Sequence, residues 1–94
     1  MQVGIMRIDL HLPGIHSLKE KRQIIQRLKA TLRNQFNLSV SEIDLQDLHQ
    51  RAIIGIAGIS SSRDVLEGEF RSVLRILDSR REVEVIDQSV EYIP

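Results

Sequence analysis

Apolar and polar residues alternate from Val3 to Leu12. Met6, Ile8, Leu10 and Leu12 fall on one side, and Val3, Ile5, Arg7, Asp9 and His11 on the other. A period of two predicts a strand with one buried face, and Pro13-Gly14 predicts its end. From Leu18 the period becomes helical. Leu18, Ile24, Ile25, Leu28, Leu32 and Phe36 fall within an arc of about 120° at 100° per residue. Ser17-Leu18-Lys19-Glu20 is a capping-box sequence, in which the Ser17 hydroxyl accepts from the Glu20 amide and the Glu20 carboxylate from the Ser17 amide. Asn37 is expected to close the helix in a left-handed conformation.

Leu38 to Asp44 reads as a short strand and Leu45 to Gln50 as a polar connection. Arg51 to Ser60 is a β-branched run, apolar on both faces, which belongs in a central strand. Its glycines predict close approach by another element. Ser60-Ser61-Ser62 supplies an N-cap for a second helix, from Arg63 to Ser79. The expected buried stripe is Val65, Leu66, Phe70, Val73, Leu74 and Leu77. Gly68 inside that helix costs about 1 kcal/mol relative to Ala, and tight packing on the sheet would explain it. Glu82 to Ile93 is the last strand. The order β-α-β-β-α-β with right-handed crossovers gives an α+β, ferredoxin-like sandwich. Its antiparallel sheet has strand order 4-1-3-2, with both helices on one face, and residues 1–94 form a single domain.

Composition narrows the chemistry. The chain has no Cys, so disulfides and thiolate metal sites are excluded. Its aromatics are only Phe36, Phe70 and Tyr92, too few for a base-stacking platform. No apolar run approaches the ~20 residues of a membrane span. The first residues read as a strand rather than a signal peptide, so a cytoplasmic protein that does not engage membranes is expected. No cofactor motif is present, and no cofactor is expected.

The net charge of zero hides a block pattern. Residues 17–36 carry six Lys/Arg and one Glu, and residues 82–94 carry four acids and no base. Within the first block, Lys19, Arg22, Lys29 and Arg33, with Gln26 between, form one stripe about 80° wide beside the apolar face. Like charges at this spacing repel by tenths of a kcal/mol per pair. The stripe therefore does not serve helix stability, and it suits a phosphate backbone or an acidic protein surface. The competing explanation is that these side chains lay their stems over the edge of a buried helix.

The topology also predicts a convergence. The end of strand one, the start of helix one, the connection from Leu45 to Gln50, the end of helix two and the start of strand four share one rim of the sheet. That rim collects His11, His16, Asp44, Asp47, His49 and Arg51, with Lys19, Arg80 and Arg81 nearby. His11, His16 and His49 could supply three nitrogens to a metal, with Asp44 or Asp47 beside them. No HExxH-type pairing supports this, and loop histidines are the plainer explanation. Helix one's N-terminus, flanked by Lys19 and Lys21, could receive a phosphate, although Ser17 and Glu20 already use some of its amides. An acylphosphatase of this topology would need an Arg in the loop Leu12–Ser17 and an Asn on strand two past Asn37; both are lacking. No catalytic residue is assigned.

The stretches Leu10-His11-Leu12-Pro13-Gly14-Ile15-His16-Ser17-Leu18-Lys19-Glu20-Lys21-Arg22 and Asp44-Leu45-Gln46-Asp47-Leu48-His49-Gln50-Arg51-Ala52 resemble the YlxP-like family of small bacterial proteins. The resemblance implies a ferredoxin-like fold. Genes of that family often neighbour those of translation initiation and ribosome maturation factors, which implies a ribosome or RNA connection. His49 departs from the pattern, where an aromatic, often Trp, is expected. The function expected first is a non-enzymatic module that binds RNA or a ribosomal subunit through Lys19, Arg22, Lys29, Arg33 and Arg51. The rivals are a homo-oligomeric protein-interaction domain, a homodimer being one form of it, and a metal- or phosphoester-dependent enzyme at the His-rich rim.

Overall fold

A computed structural model describes residues 1–94. The element order is β1 (Gln2–His11), α1 (Leu18–Gln35), β2 (Leu38–Asp44), β3 (Arg51–Ser60), α2 (Arg63–Asp78) and β4 (Glu84–Ile93). The strands form one antiparallel sheet in the order β2-β3-β1-β4, the expected sequence read from the other edge. Met6, Ile8 and Leu10 on β1 are fully buried. They share one core with Ile24, Ile25, Leu28 and Leu32 of α1 and Phe70, Val73 and Leu77 of α2. Each such side chain contributes about 1.5–3 kcal/mol by leaving water, so the two apolar stripes hold the helices on the sheet.

Close approach at the glycines of β3 is real. A Cβ on Gly58 would lie 2.5 Å from Leu38 Cδ2 and 3.0 Å from Leu66 Cδ2, and one on Gly55 would lie 2.9 Å from Ile43 Cγ2. Gly68 differs: a Cβ there would meet only Arg71 Nη2, at 3.8 Å. Packing therefore does not require that glycine. Val65 also leaves the expected stripe and is exposed, because it lies about 100° round the helix from Leu66.

Three local expectations change at the helix ends. Ser17 caps α1 by accepting from the Glu20 amide at 3.1 Å, but the Glu20 carboxylate stays in solvent and makes no return bond. Asn37 is not left-handed: α1 ends on Phe36 in extended conformation, φ −133° and ψ 152°. Phe36 packs on the core while Leu38 already begins β2, which leaves no room for a reversing residue. Ser62 takes the N-cap position of α2 without a side-chain bond, and the Ser60 hydroxyl instead accepts from the Ser62 amide at 3.1 Å.

The last strand starts at Glu84 rather than Glu82, with Val83 buried just before it. Its register on β1 shifts between Asp9 and Leu10, a bulge that leaves Ile86 unpaired and exposed. Near the far end Tyr92 tilts against Phe70, ring centroids 6.2 Å apart, and the Arg63 guanidinium lies 4.2 Å above the Tyr92 ring. Burial raises the Tyr92 phenol above its ordinary pKa and Glu67 adds to the rise, opposed by Arg63 and Arg71.

Candidate functional site

The first loop and the β2–β3 connection meet at one rim, as the topology requires. The Leu12 amide donates to the Gln50 carbonyl at 2.9 Å, and Gln50 Nε2 donates to the Ile15 carbonyl at 3.2 Å. Gly14, at φ 77°, makes the turn that brings Ile15 back to this contact.

The organiser of the rim is Lys21. It lies in the first turns of α1 and is only 1% exposed. Its Nζ donates to the carbonyls of Leu45 and Leu48, each at 2.7 Å, and to that of Gln46 at 3.4 Å. The fourth neighbour is Glu42 Oε2 at 2.8 Å, an ion contact whose angle is not that of a hydrogen bond. A buried ammonium is tolerated because its charge meets a carboxylate and its protons meet carbonyls. The loop is thereby wrapped around a side chain of the helix. Leu45 adopts a left-handed φ of 60°, with its amide held by Asp44 Oδ1 at 2.8 Å and its carbonyl accepting from the Leu48 amide at 3.1 Å.

Periodicity counted Lys21 as a polar position. The available signal was its angular place: three residues before Ile24, four before Ile25 and seven before Leu28, inside the apolar stripe. A lysine there must either leave the stripe or find buried partners.

The residues expected at this rim separate into three groups. His16, Asp47, His49 and Arg51 line one shallow cleft together with Ile15 and Gln50. Asp44 is outside it, engaged in the Leu45 turn. His11 lies on the open face of the sheet, its Nδ1 3.4 Å from Glu84 Oε2. His11, His16 and His49 do not converge, and no three His, Asp or Glu side chains stand close enough to ligate one ion. Arg51 lines the cleft with part of its length, but its guanidinium forks onto Asp9: Nη2 donates to Oδ1 at 2.8 Å and to Oδ2 at 2.7 Å. The register explains this pair. Asp9 faces Asp87 across β1–β4, and Arg51 offsets the like charges. Arg80 reaches Thr31 Oγ1 at 3.5 Å, in the last third of α1.

The basic side of α1 is open. Lys19, Arg22, Gln23, Gln26 and Arg27 line one shallow surface on the helix, three residues along the chain from His16. Lys19, Arg22 and Arg27 are exposed and Lys29 is half-buried, and none of the four has a carboxylate within 4.0 Å. Arg27, which the sequence stripe does not include, joins this surface from its other flank, about 80° round the helix from Lys19. Arg33 is exposed but committed: its Nη2 donates to the Val40 carbonyl on the edge strand β2 at 2.8 Å. That bond uses an edge carbonyl that would otherwise be free to pair with another strand.

With this geometry in place, comparison with known proteins adds the lineage. A family model described as "Protein of unknown function (DUF503)" matches residues 3–90. The chain is 48% identical over 82 residues to a Bacillus subtilis (strain 168) protein named "Uncharacterized protein YlxP", an alignment covering 87% of this chain and 89% of that one. Among solved structures, a point mutant of SnoaB, a cofactor-independent oxygenase from Streptomyces nogalater, superposes with a TM-score of 0.51 at 10% identity. The superposition covers 99% of this chain and 91% of that one. At that identity the likeness is one of fold.

Proposed function

The chain belongs to the DUF503 family, and within it we propose that this protein is a binding module that grips the phosphate backbone of RNA with the outer side of α1. The observation that carries the reading is the exposed surface of Lys19, Arg22 and Arg27, none with a carboxylate partner, flanked on the Arg22 side by the half-buried and likewise unpaired Lys29. Lys19 and Arg22, three residues apart, repel by tenths of a kcal/mol, and phosphates relieve that repulsion while releasing counterions. Gln23 and Gln26 lie in the same surface and can donate to phosphate or ribose oxygens. The cleft of His16, Asp47 and His49 begins where the row ends, so one strand could run from the helix onto the rim. The gene neighbourhood of the resembling family points to RNA or the ribosome rather than to an acidic protein surface.

Arg33 and Arg51 take no part, because each already serves the fold. The test leaves them intact and replaces Lys19, Arg22, Arg27 and Lys29 by Gln. Binding to a structured ribosomal RNA fragment is followed by fluorescence anisotropy at two salt concentrations, with co-sedimentation on ribosomal subunits alongside. Four phosphate contacts give a fall in affinity of roughly 50- to 150-fold between 50 and 200 mM salt. The four-Gln variant should lose binding and salt dependence with its melting curve unchanged. Equal binding by the variant, or binding indifferent to salt, rejects the proposal.

A further inference from the structure

The polar side chains of the rim cleft are of two kinds. Gln50 and Arg51 are spent within the chain: Gln50 Nε2 donates to the Ile15 carbonyl at 3.2 Å, and the Arg51 guanidinium is neutralised by Asp9. His16, Asp47 and His49 are exposed, and none of their side chains has a hydrogen-bond or ion-pair partner in the chain. Beside them Leu48 holds an apolar side chain 47% exposed. The walls are fixed before any ligand arrives. The Gln50–Ile15 bond ties the two loops together, and Lys21 grips the carbonyls of Leu45 and Leu48, which bracket Asp47, at 2.7 Å each. Binding there sacrifices little freedom. The cleft offers about 500 Å³, inside the range of roughly 300–1,000 Å³ common to small-ligand sites.

The charge of the cleft differs from that of the helix surface beside it. Lys19, Arg22 and Arg27 attract phosphate, whereas the one uncompensated charge in the cleft, counting histidine as neutral, is the Asp47 carboxylate. A carboxylate repels phosphate and only accepts hydrogen bonds. The part of a nucleotide that suits this end is therefore the base, whose faces can lie on imidazole rings and on Leu48. His16, Asp47 and His49 are too widely placed to share a metal ion, so the gap between them admits something larger. Among the four RNA bases only guanine presents two adjacent donors, N1–H and N2–H, on its Watson–Crick edge, and one carboxylate can accept both. We propose that the cleft takes one unpaired guanine of the bound RNA, its ring against His16, His49 and Leu48 and its Watson–Crick edge donating to Asp47. This rests on the reading that α1 grips the adjoining phosphates, and it adds to that grip a preference for a base.

Two measurements test this. The imidazole C–H signals of the three histidines are followed by NMR as guanosine 5′-monophosphate is added, with a dissociation constant expected near about a millimolar. The signals of His16 and His49 should move and those of His11, on the open face of the sheet, should not; the adenine, cytosine and uracil nucleotides should act at least about fivefold more weakly. The four-Gln variant of α1 should respond to the nucleotide as the wild type does, which separates this outcome from that of phosphate binding. In the second measurement, RNA hairpins that differ only in one loop base are compared by anisotropy. A loop guanine should bind roughly 5- to 150-fold more tightly than a loop uracil, and inosine, which lacks the N2 amino group, should fall between them. Asp47→Ala should erase that preference while the salt dependence and the melting curve stay as they are. His16→Ala with His49→Ala should weaken every hairpin about fivefold or more through lost stacking. Unmoved His16 and His49 signals, an equal response to all four nucleotides, or a guanine preference that survives Asp47→Ala would each overturn the proposal. So would a mononucleotide that binds as tightly as the guanine hairpin, since the cleft would then serve a free nucleotide. Hairpin binding that depends on salt but ignores the loop base rejects the guanine site and leaves the α1 reading standing.

Discussion

Lys21→Met is the most demanding perturbation of this structure. Methionine keeps the length and the apolar stem of lysine but removes the charge and its protons. The change strands Glu42 Oε2, which has no other partner, and leaves three loop carbonyls without the ammonium they now face at 2.7, 2.7 and 3.4 Å. Removing one member of a buried ion pair costs about 3–5 kcal/mol, and a domain of this size has about 5–14 kcal/mol in all. The variant should thus lose roughly a fifth or more of its stability. Urea unfolding at pH 7 would show a lower midpoint with an unchanged slope, and hydrogen exchange would show the amides of residues 45–50 losing protection first. Glu42→Met added to Lys21→Met should recover at least about 1 kcal/mol, because the orphaned carboxylate is then gone. Lys21→Arg should fail as a substitute, since a planar fork cannot reach carbonyls arranged around a point. A cost below about 1 kcal/mol for Lys21→Met, or a Glu42→Met change that adds its full penalty, would refute the view that the loop is built around this cation.

Two glycines in buried and open settings should respond with opposite sign. Gly58→Ala should destabilise by about 1–3 kcal/mol through overpacking, whereas Gly68→Ala should stabilise by up to about 1 kcal/mol through helix propensity; urea midpoints read both. Tyr92 is the only tyrosine in a chain without tryptophan, so absorbance at 295 nm reports its ionisation alone. Its midpoint should lie above that of a free tyrosine, about 10, and native stability should fall as pH rises past the unfolded value, because the folded phenol resists ionising while the unfolded one does not. A midpoint at or below that of free tyrosine would contradict the burial assigned to the ring.

The fold was legible because its signals are periodic and local. Alternation in β1, the helical stripes of α1 and α2, and the apolar run with glycines in β3 each require one kind of element, and right-handed crossovers leave one sheet order. The site was legible only in part. The rim's convergence follows from topology, so His16, Asp47 and His49 were expected together and do share a cleft. What each side chain does there depends on neighbours distant in sequence. Arg51 is drawn to Asp9 by a facing pair of acids that only the β1–β4 register reveals. Arg33 turns to an edge carbonyl that exists only once the sheet is assembled. His11 points to the open face because β1 alternates through it, away from His16. Lys21 alone left a trace in the sequence, a charged residue in mid-stripe, but the carbonyls that satisfy it belong to a loop distant in the chain.

Three carbonyl oxygens and a carboxylate around one positive charge make a coordination sphere of the kind loops elsewhere provide for calcium. Here the cation is tethered to the helix and arrives with it as the chain folds. The β2–β3 loop therefore needs no ion from the medium, and chelators or changing ion supply leave its shape alone. Its fate follows instead that of α1: whatever lifts the first turns of that helix withdraws the charge, and the rim loses its form in the same step.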